Sequence, residues 1–171
     1  GTSEQWKHHQ TAYLLLAGLA TPLVISVHSI VSLDFSVSQV PGWHSTIFPP
    51  YFVAGAIFHG FAMVLLIGLP LRHFLDLEDM ITERHLGIMA KLMLVTGLIV
   101  TYGYLIEIFM AWYAGDIYER YVWLNRMSGP YWWVFWGTIF CNAVAIQTLW
   151  FRRVRRSTYA LFGLGVVISI G

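Results

Sequence analysis

The sequence predicts an all-α protein, a polytopic bundle of transmembrane helices. Of its 171 residues 57% are hydrophobic and only 11% are charged, against roughly a quarter charged in an ordinary soluble domain. The apolar residues also gather into runs of about 20 or more, the length a helix needs to cross a hydrocarbon core about 30 Å thick at about 1.5 Å per residue. Lipid offers a backbone no hydrogen-bond partners, so such runs must be helical.

Taken in order, the complete spans are Tyr13 to Leu33, Ile47 to Leu71, Leu86 to Trp112 and Pro130 to Phe151. A fifth opens at Thr158 and runs to Gly171, 14 residues and too short to span. Residues 1–171 thus read as a single bundle with four full spans and the start of a fifth. In the first span Pro22 cannot donate to Gly18, which predicts a kink in mid-helix. The second has a start signal, with Ser45 or Thr46 as side-chain cap and Pro49-Pro50 in the first turn, where no donor is needed.

Charge sets the orientation. Lys7, Arg72, Arg84, Arg152, Arg153, Arg155 and Arg156 fall on one side of the membrane, and Arg120 and Arg126 on the other. By the positive-inside rule the chain begins in the cytoplasm, and the loops 34–46 and 113–129 lie outside. Trp43, Trp112, Trp123, Trp132, Trp133, Tyr113, Tyr121 and Tyr131 crowd the outer boundary, where an aromatic belt anchors a protein at the interface.

The net charge of +1 gives no reason to expect a nucleic-acid partner. A single cysteine, Cys141, excludes an intrachain disulfide and a cysteine-ligated metal or iron–sulfur site on this chain.

An ionisable side chain in hydrocarbon costs about 2.5 kcal/mol or more on insertion scales and so needs a partner, a wet cavity or a task. His28 lies about six residues, roughly 9 Å, below the outer end of the first span, and Glu107 lies at nearly the same depth in the third. His59 is about twelve residues into the second, roughly 18 Å down. Each belongs to a stripe of small or polar residues that is expected to face the bundle interior: Gly18, Thr21, His28, Ser29 and Ser32; Gly55 and His59; Thr96, Gly103, Tyr104 and Glu107. Asn142 and Gln147 in the fourth span are expected to make helix-to-helix hydrogen bonds. The loop with Asp76, Glu78, Asp79 and Glu83 reads as a solvated cytoplasmic face.

A histidine and a carboxylate at one depth, near a membrane surface and among aromatics, suit a lipid-soluble molecule that releases protons when oxidised. A quinol fits. His28 is the expected first proton acceptor, Glu107 and Asp34 the exit relay, and His28, Glu107, Tyr104 and His44 the quinol-binding groups. His59, Thr96 and Lys91 form a candidate inner proton path. A haem anchored between His28 and His59 is disfavoured by their difference in depth, and no metal site is expected on this chain. Two alternatives remain: a membrane scaffold without a quinol site of its own, and a proton-conducting, transporter-like subunit.

The stretch Val40-Pro41-Gly42-Trp43-His44-Ser45-Thr46-Ile47-Phe48-Pro49-Pro50-Tyr51-Phe52-Val53-Ala54-Gly55-Ala56 closely resembles the NrfD/polysulfide-reductase-like membrane subunits, above all the one in bacterial alternative complex III. Segments 28–35, 81–86 with Lys91, and 102–107 look like the same family. The resemblance implies a haem-free quinol-binding subunit of eight to ten helices in the bacterial cytoplasmic membrane. It further implies menaquinol as electron donor, partner subunits carrying iron–sulfur clusters and c-type haems, a second related membrane subunit, and a role in which proton translocation is open. This chain, opening Gly1-Thr2-Ser3 and holding about half those helices, is then a fragment of such a subunit.

Overall fold

The structure is a computed structural model and describes residues 2–171. Among the described residues it is helical, with no strand. Three helices are long and apolar enough to cross a membrane: α1 (Ser3–Ser36), α2 (Phe48–Phe74) and α3 (Glu83–Tyr113). They are followed by α4 (Ile117–Ser128), α5 (Trp132–Ile139), a π-helical turn (Phe140–Val144), a 3₁₀ segment (Ala145–Trp150), α6 (Arg152–Arg156) and α7 (Thr158–Ile170).

Helix α1 starts ten residues before its apolar run because Thr2 caps it. The Thr2 hydroxyl accepts from the Gln5 amide at 3.3 Å and the Thr2 amide donates to Gln5 Oε1 at 3.1 Å, a reciprocal capping box. Its 34 residues span about 51 Å, well beyond the roughly 30 Å core. It runs unbroken through Pro22, so the missing hydrogen bond does not end the helix there.

Helix α2 corrects the expected cap. Neither Ser45 nor Thr46 makes a side-chain cap bond; the cap position is Ile47, whose carbonyl accepts from the Tyr51 amide at 3.0 Å. The reason is chemical: Pro49 and Pro50 have no N–H, so the donors a capping hydroxyl would serve are absent.

The core is built around α2, which packs against α1, α3 and α7. Phe58, Ala62 and Leu65 of α2, Ala90 and Met93 of α3, Ile146 and Leu149 of the 3₁₀ segment, and Leu161 and Ile168 of α7 are fully buried. Gly97 makes that convergence possible: a Cβ there would lie 2.8 Å from Ile146 Cδ1 and 2.9 Å from Phe58 Cε2, closer than carbon atoms tolerate.

The fourth span departs from a regular α-helix. It begins at Trp132, widens into the π turn and tightens into the 3₁₀ segment before the chain turns extended at Phe151. The expected interhelical bonds of its amides are not formed. Gln147 donates to the Ala143 carbonyl at 3.0 Å and accepts from the Trp150 indole at 2.9 Å, both within the same span. Asn142 is buried with its Oδ1 unpartnered. Arg155 folds back to donate to the carbonyls of Leu149 (2.6 Å) and Trp150 (3.1 Å), satisfying oxygens left free at the end of the span.

The loop 113–129 is the largest local surprise, because it contains α4. Asp116 Oδ1 accepts from the Tyr118 amide at 2.8 Å as its N-cap. Gly129 closes it at a point where a Cβ would collide with the Asn125 carbonyl.

Candidate functional site

The site is assembled where α3, α4, α5 and the loop before α2 meet. Gly42 sets up the loop: its φ of +81° is a conformation glycine adopts without strain. A Cβ at that position would stand 3.2 Å from Val122 of α4. The turn lays His44 beside α4, where its Nε2 lies 2.9 Å from Glu119 Oε1.

Helix α4 then closes over the end of the bundle. Trp123 is buried, its ring edge-on to Phe135 of α5 with centroids 5.8 Å apart. The Arg126 guanidinium sits 5.3 Å from the centre of the same indole, within cation–π range. The Trp136 indole donates to the Met127 carbonyl at 3.2 Å, tying α5 to α4. Trp123 is therefore a packing residue and not part of an interfacial belt. The other aromatics of that boundary, Trp43, Trp112, Tyr113, Tyr121, Tyr131, Trp132 and Trp133, are exposed.

From α3, Tyr104 and Glu107 face this closure. Gly103 lets Tyr51 of α2 lie against the α3 backbone, where a Cβ would stand 2.5 Å from the Tyr51 ring. Tyr51 in turn meets Tyr104 edge-on at 5.7 Å. Two clefts adjoin at Glu107. The larger, about 360 Å³, is lined by Tyr104, Glu107, Trp123, Asn125, Arg126, Pro130, Tyr131, Val134, Phe135 and Thr138. The smaller, about 40 Å³, is lined by Gly42, His44, Ser45, Glu107, Met110, Ala111, Glu119 and Trp123. The first lies in the size range of small-molecule sites; the second is large enough for a few water molecules. Among the described residues, no side chain hydrogen-bonds the Glu107 carboxylate.

Of the residues singled out from sequence, the structure brings Glu107, Tyr104 and His44 to these clefts. His28 and Asp34 do not line them. Both are on α1, where His28 Nδ1 donates to the Val24 carbonyl at 2.8 Å and Asp34 is exposed. His59 Nδ1 donates to Gly55 O at 2.9 Å, and Thr96 donates to Leu92 O at 2.9 Å. Each thus bonds within its own helix, and Lys91 is exposed.

The interior stripes are correspondingly uneven. Gly103 and Ser32 are buried, whereas Gly18 and Thr21 are exposed on α1. Glu119, Arg126 and Phe135 were missing from the sequence-based site. The signal for the first two was present: Asp116 followed three residues later by Glu119 is a helix-start pattern. Glu119, Trp123 and Arg126 then recur at i, i+4 and i+7 on one face.

Among the described residues, no group of three or more His, Cys, Asp or Glu side chains is arranged to hold a metal ion. No curated protein matches the chain. The family model described as polysulphide reductase, NrfD, matches residues 3–171, almost the whole sequence. The chain therefore belongs to the NrfD polysulphide reductase family, whose members are membrane subunits of oxidoreductase complexes that usually pair with iron–sulfur subunits.

Proposed function

We propose that this chain is the quinol-oxidising part of a respiratory membrane complex, of the alternative complex III type, and that the quinol ring occupies the larger cleft. The observation that carries this reading is the position of Glu107 between a ligand-sized aromatic cleft and a water-sized one that leads to His44 and Glu119. Oxidation of a quinol to a quinone releases two electrons and two protons. A substrate of that kind needs flat apolar walls, a base at one hydroxyl, and a separate exit for the protons.

In this reading Tyr104, Tyr131 and Phe135 present ring faces and edges to the quinol, and Arg126 holds a fixed positive charge at the cleft. Glu107 accepts the two hydroxyl protons in turn as general base, handing on the first before it takes the second. Water in the smaller cleft passes each to the His44–Glu119 pair, where His44 is half-exposed. By the distribution of arginines this end faces the periplasm, so the protons leave on that side. Iron–sulfur and c-type haem groups on partner subunits would take the electrons. Menaquinol is the proposed donor, and a second related membrane subunit a proposed neighbour.

Titration of a menaquinol analogue against the intact complex, followed by tryptophan quenching, tests the placement. Saturable binding is expected in the wild type and should be lost in Val134→Trp, which fills the larger cleft. Binding unchanged by that substitution would move the site elsewhere. No binding in the wild type would leave the chain as a scaffold for a partner's quinol site.

A further inference from the structure

We propose that the turn between the 3₁₀ segment and α7 is a binding site for an anionic phospholipid. Its phosphate would rest on Arg152, Arg153 and Arg156, and an acyl chain would lie in the cleft between α2 and α7. This site is at the opposite end of the bundle from the quinol clefts and stands independently of them.

The first observation is the charge cluster. Residues 152–156 read Arg-Arg-Val-Arg-Arg, yet the four arginines are not equivalent. Arg155 turns inward to the Leu149 and Trp150 carbonyls. Arg152, Arg153 and Arg156 are exposed. Among the described residues the ion pairs within 4 Å are His44–Glu119 and Arg72–Glu78, so these three guanidiniums have no carboxylate partner. Guanidinium donors in a fixed fork match phosphate oxygens well.

The second observation is the apolar slot beside the cluster. A cleft of about 410 Å³ begins at Thr158, two residues beyond Arg156; Leu69, Pro70, Phe74, Tyr159 and Phe162 give it apolar walls, and Arg72, His73 and Glu78 complete its lining. Trp150, Phe151 and Tyr159 stand exposed next to the arginines. A free phosphate has no use for an apolar slot. A lipid with a negative headgroup satisfies both features, as basic pockets between membrane helices do.

The carboxylates at this end belong to other elements. Asp76, Glu78, Asp79 and Glu83 belong to the α2–α3 connection and the start of α3. Glu78, the one that lines the cleft, is 3.9 Å from Arg72. That pairing offsets the Glu78 charge and leaves the headgroup to the unpaired arginines of α6.

The test uses the intact complex in phosphatidylcholine nanodiscs carrying either spin-labelled phosphatidylglycerol or spin-labelled phosphatidylcholine as a minor component. Wild type should immobilise a larger fraction of the phosphatidylglycerol label, and raised salt should reduce the difference. Combining Arg152→Gln, Arg153→Gln and Arg156→Gln should bring that fraction down to the phosphatidylcholine level, while the three corresponding Lys substitutions keep it raised. Equal immobilisation of both lipids in wild type, a preference insensitive to salt, or a preference that survives the glutamine substitutions would each overturn the proposal. So would loss of an acidic partner subunit from the glutamine variant with lipid preference intact, which would make the patch a protein interface.

Discussion

His28 and Glu107 look like equals in the sequence and are not equals in the structure. Both are ionisable, both lie near the same end of a long apolar helix, and both belong to a stripe of small and polar residues. His28 sits on α1, whose apolar window contributes nothing to the buried interior, and its ring bonds to its own helix. Glu107 sits on α3 beneath a roof made by α4 and α5, with a cleft on either side. Depth and residue type nominate both residues; the packing around them encloses only Glu107 between clefts.

Paired substitutions break or sharpen this contrast. In the proposed role, Glu107→Gln should lower quinol oxidation by about 100-fold or more, the usual minimum for removing a general base, with the complex still assembled. His28→Leu should leave turnover unchanged. Equal losses in the two variants, measured as steady-state quinol oxidation, would erase the distinction.

The roof itself comes next. Trp123→Ala removes a buried aromatic from between α4 and α5 and should destabilise that packing by about 3–5 kcal/mol. The expected readout is a lower melting temperature, with faster protease cleavage in residues 117–128 and weakened quinol binding. A smaller effect is expected at the exit. His44→Ala and Glu119→Gln should each slow turnover by less than Glu107→Gln, because water can still reach the small cleft. The double variant should be no worse than the worse single one, the signature of groups acting in one step. Additive losses would separate the two residues.

Much of this molecule was legible in advance, for reasons that can be named. The long apolar runs of α1, α2 and α3 could only be helices in lipid, and Glu107 stood out because a carboxylate in hydrocarbon needs a reason. Tyr104 shares its face of α3, and His44 follows the Pro41-Gly42-Trp43 turn. What remained hidden depended on packing between elements. Nothing local marks α1 as peripheral, since its composition matches that of the buried helices. The π and 3₁₀ turns of the fourth span have no composition of their own. Trp123 reads as one more interfacial aromatic until α4 is recognised as a helix with Trp123 on its inner face. That helix carries its own start and stop signals at Asp116 and Gly129, so it was readable; a search for long apolar runs passes over a short amphipathic one.

The most direct test of the proposed quinol site is photolabelling of the intact complex with an azido-menaquinone analogue, the labelled residues being mapped by peptide mass spectrometry. The geometry predicts label on α3, α4 and α5 at Tyr104, Arg126, Tyr131 or Phe135, displaced by unlabelled menaquinol and absent in Val134→Trp. Displaceable label on α1 around His28 and Asp34, with none on α3 to α5, would contradict it.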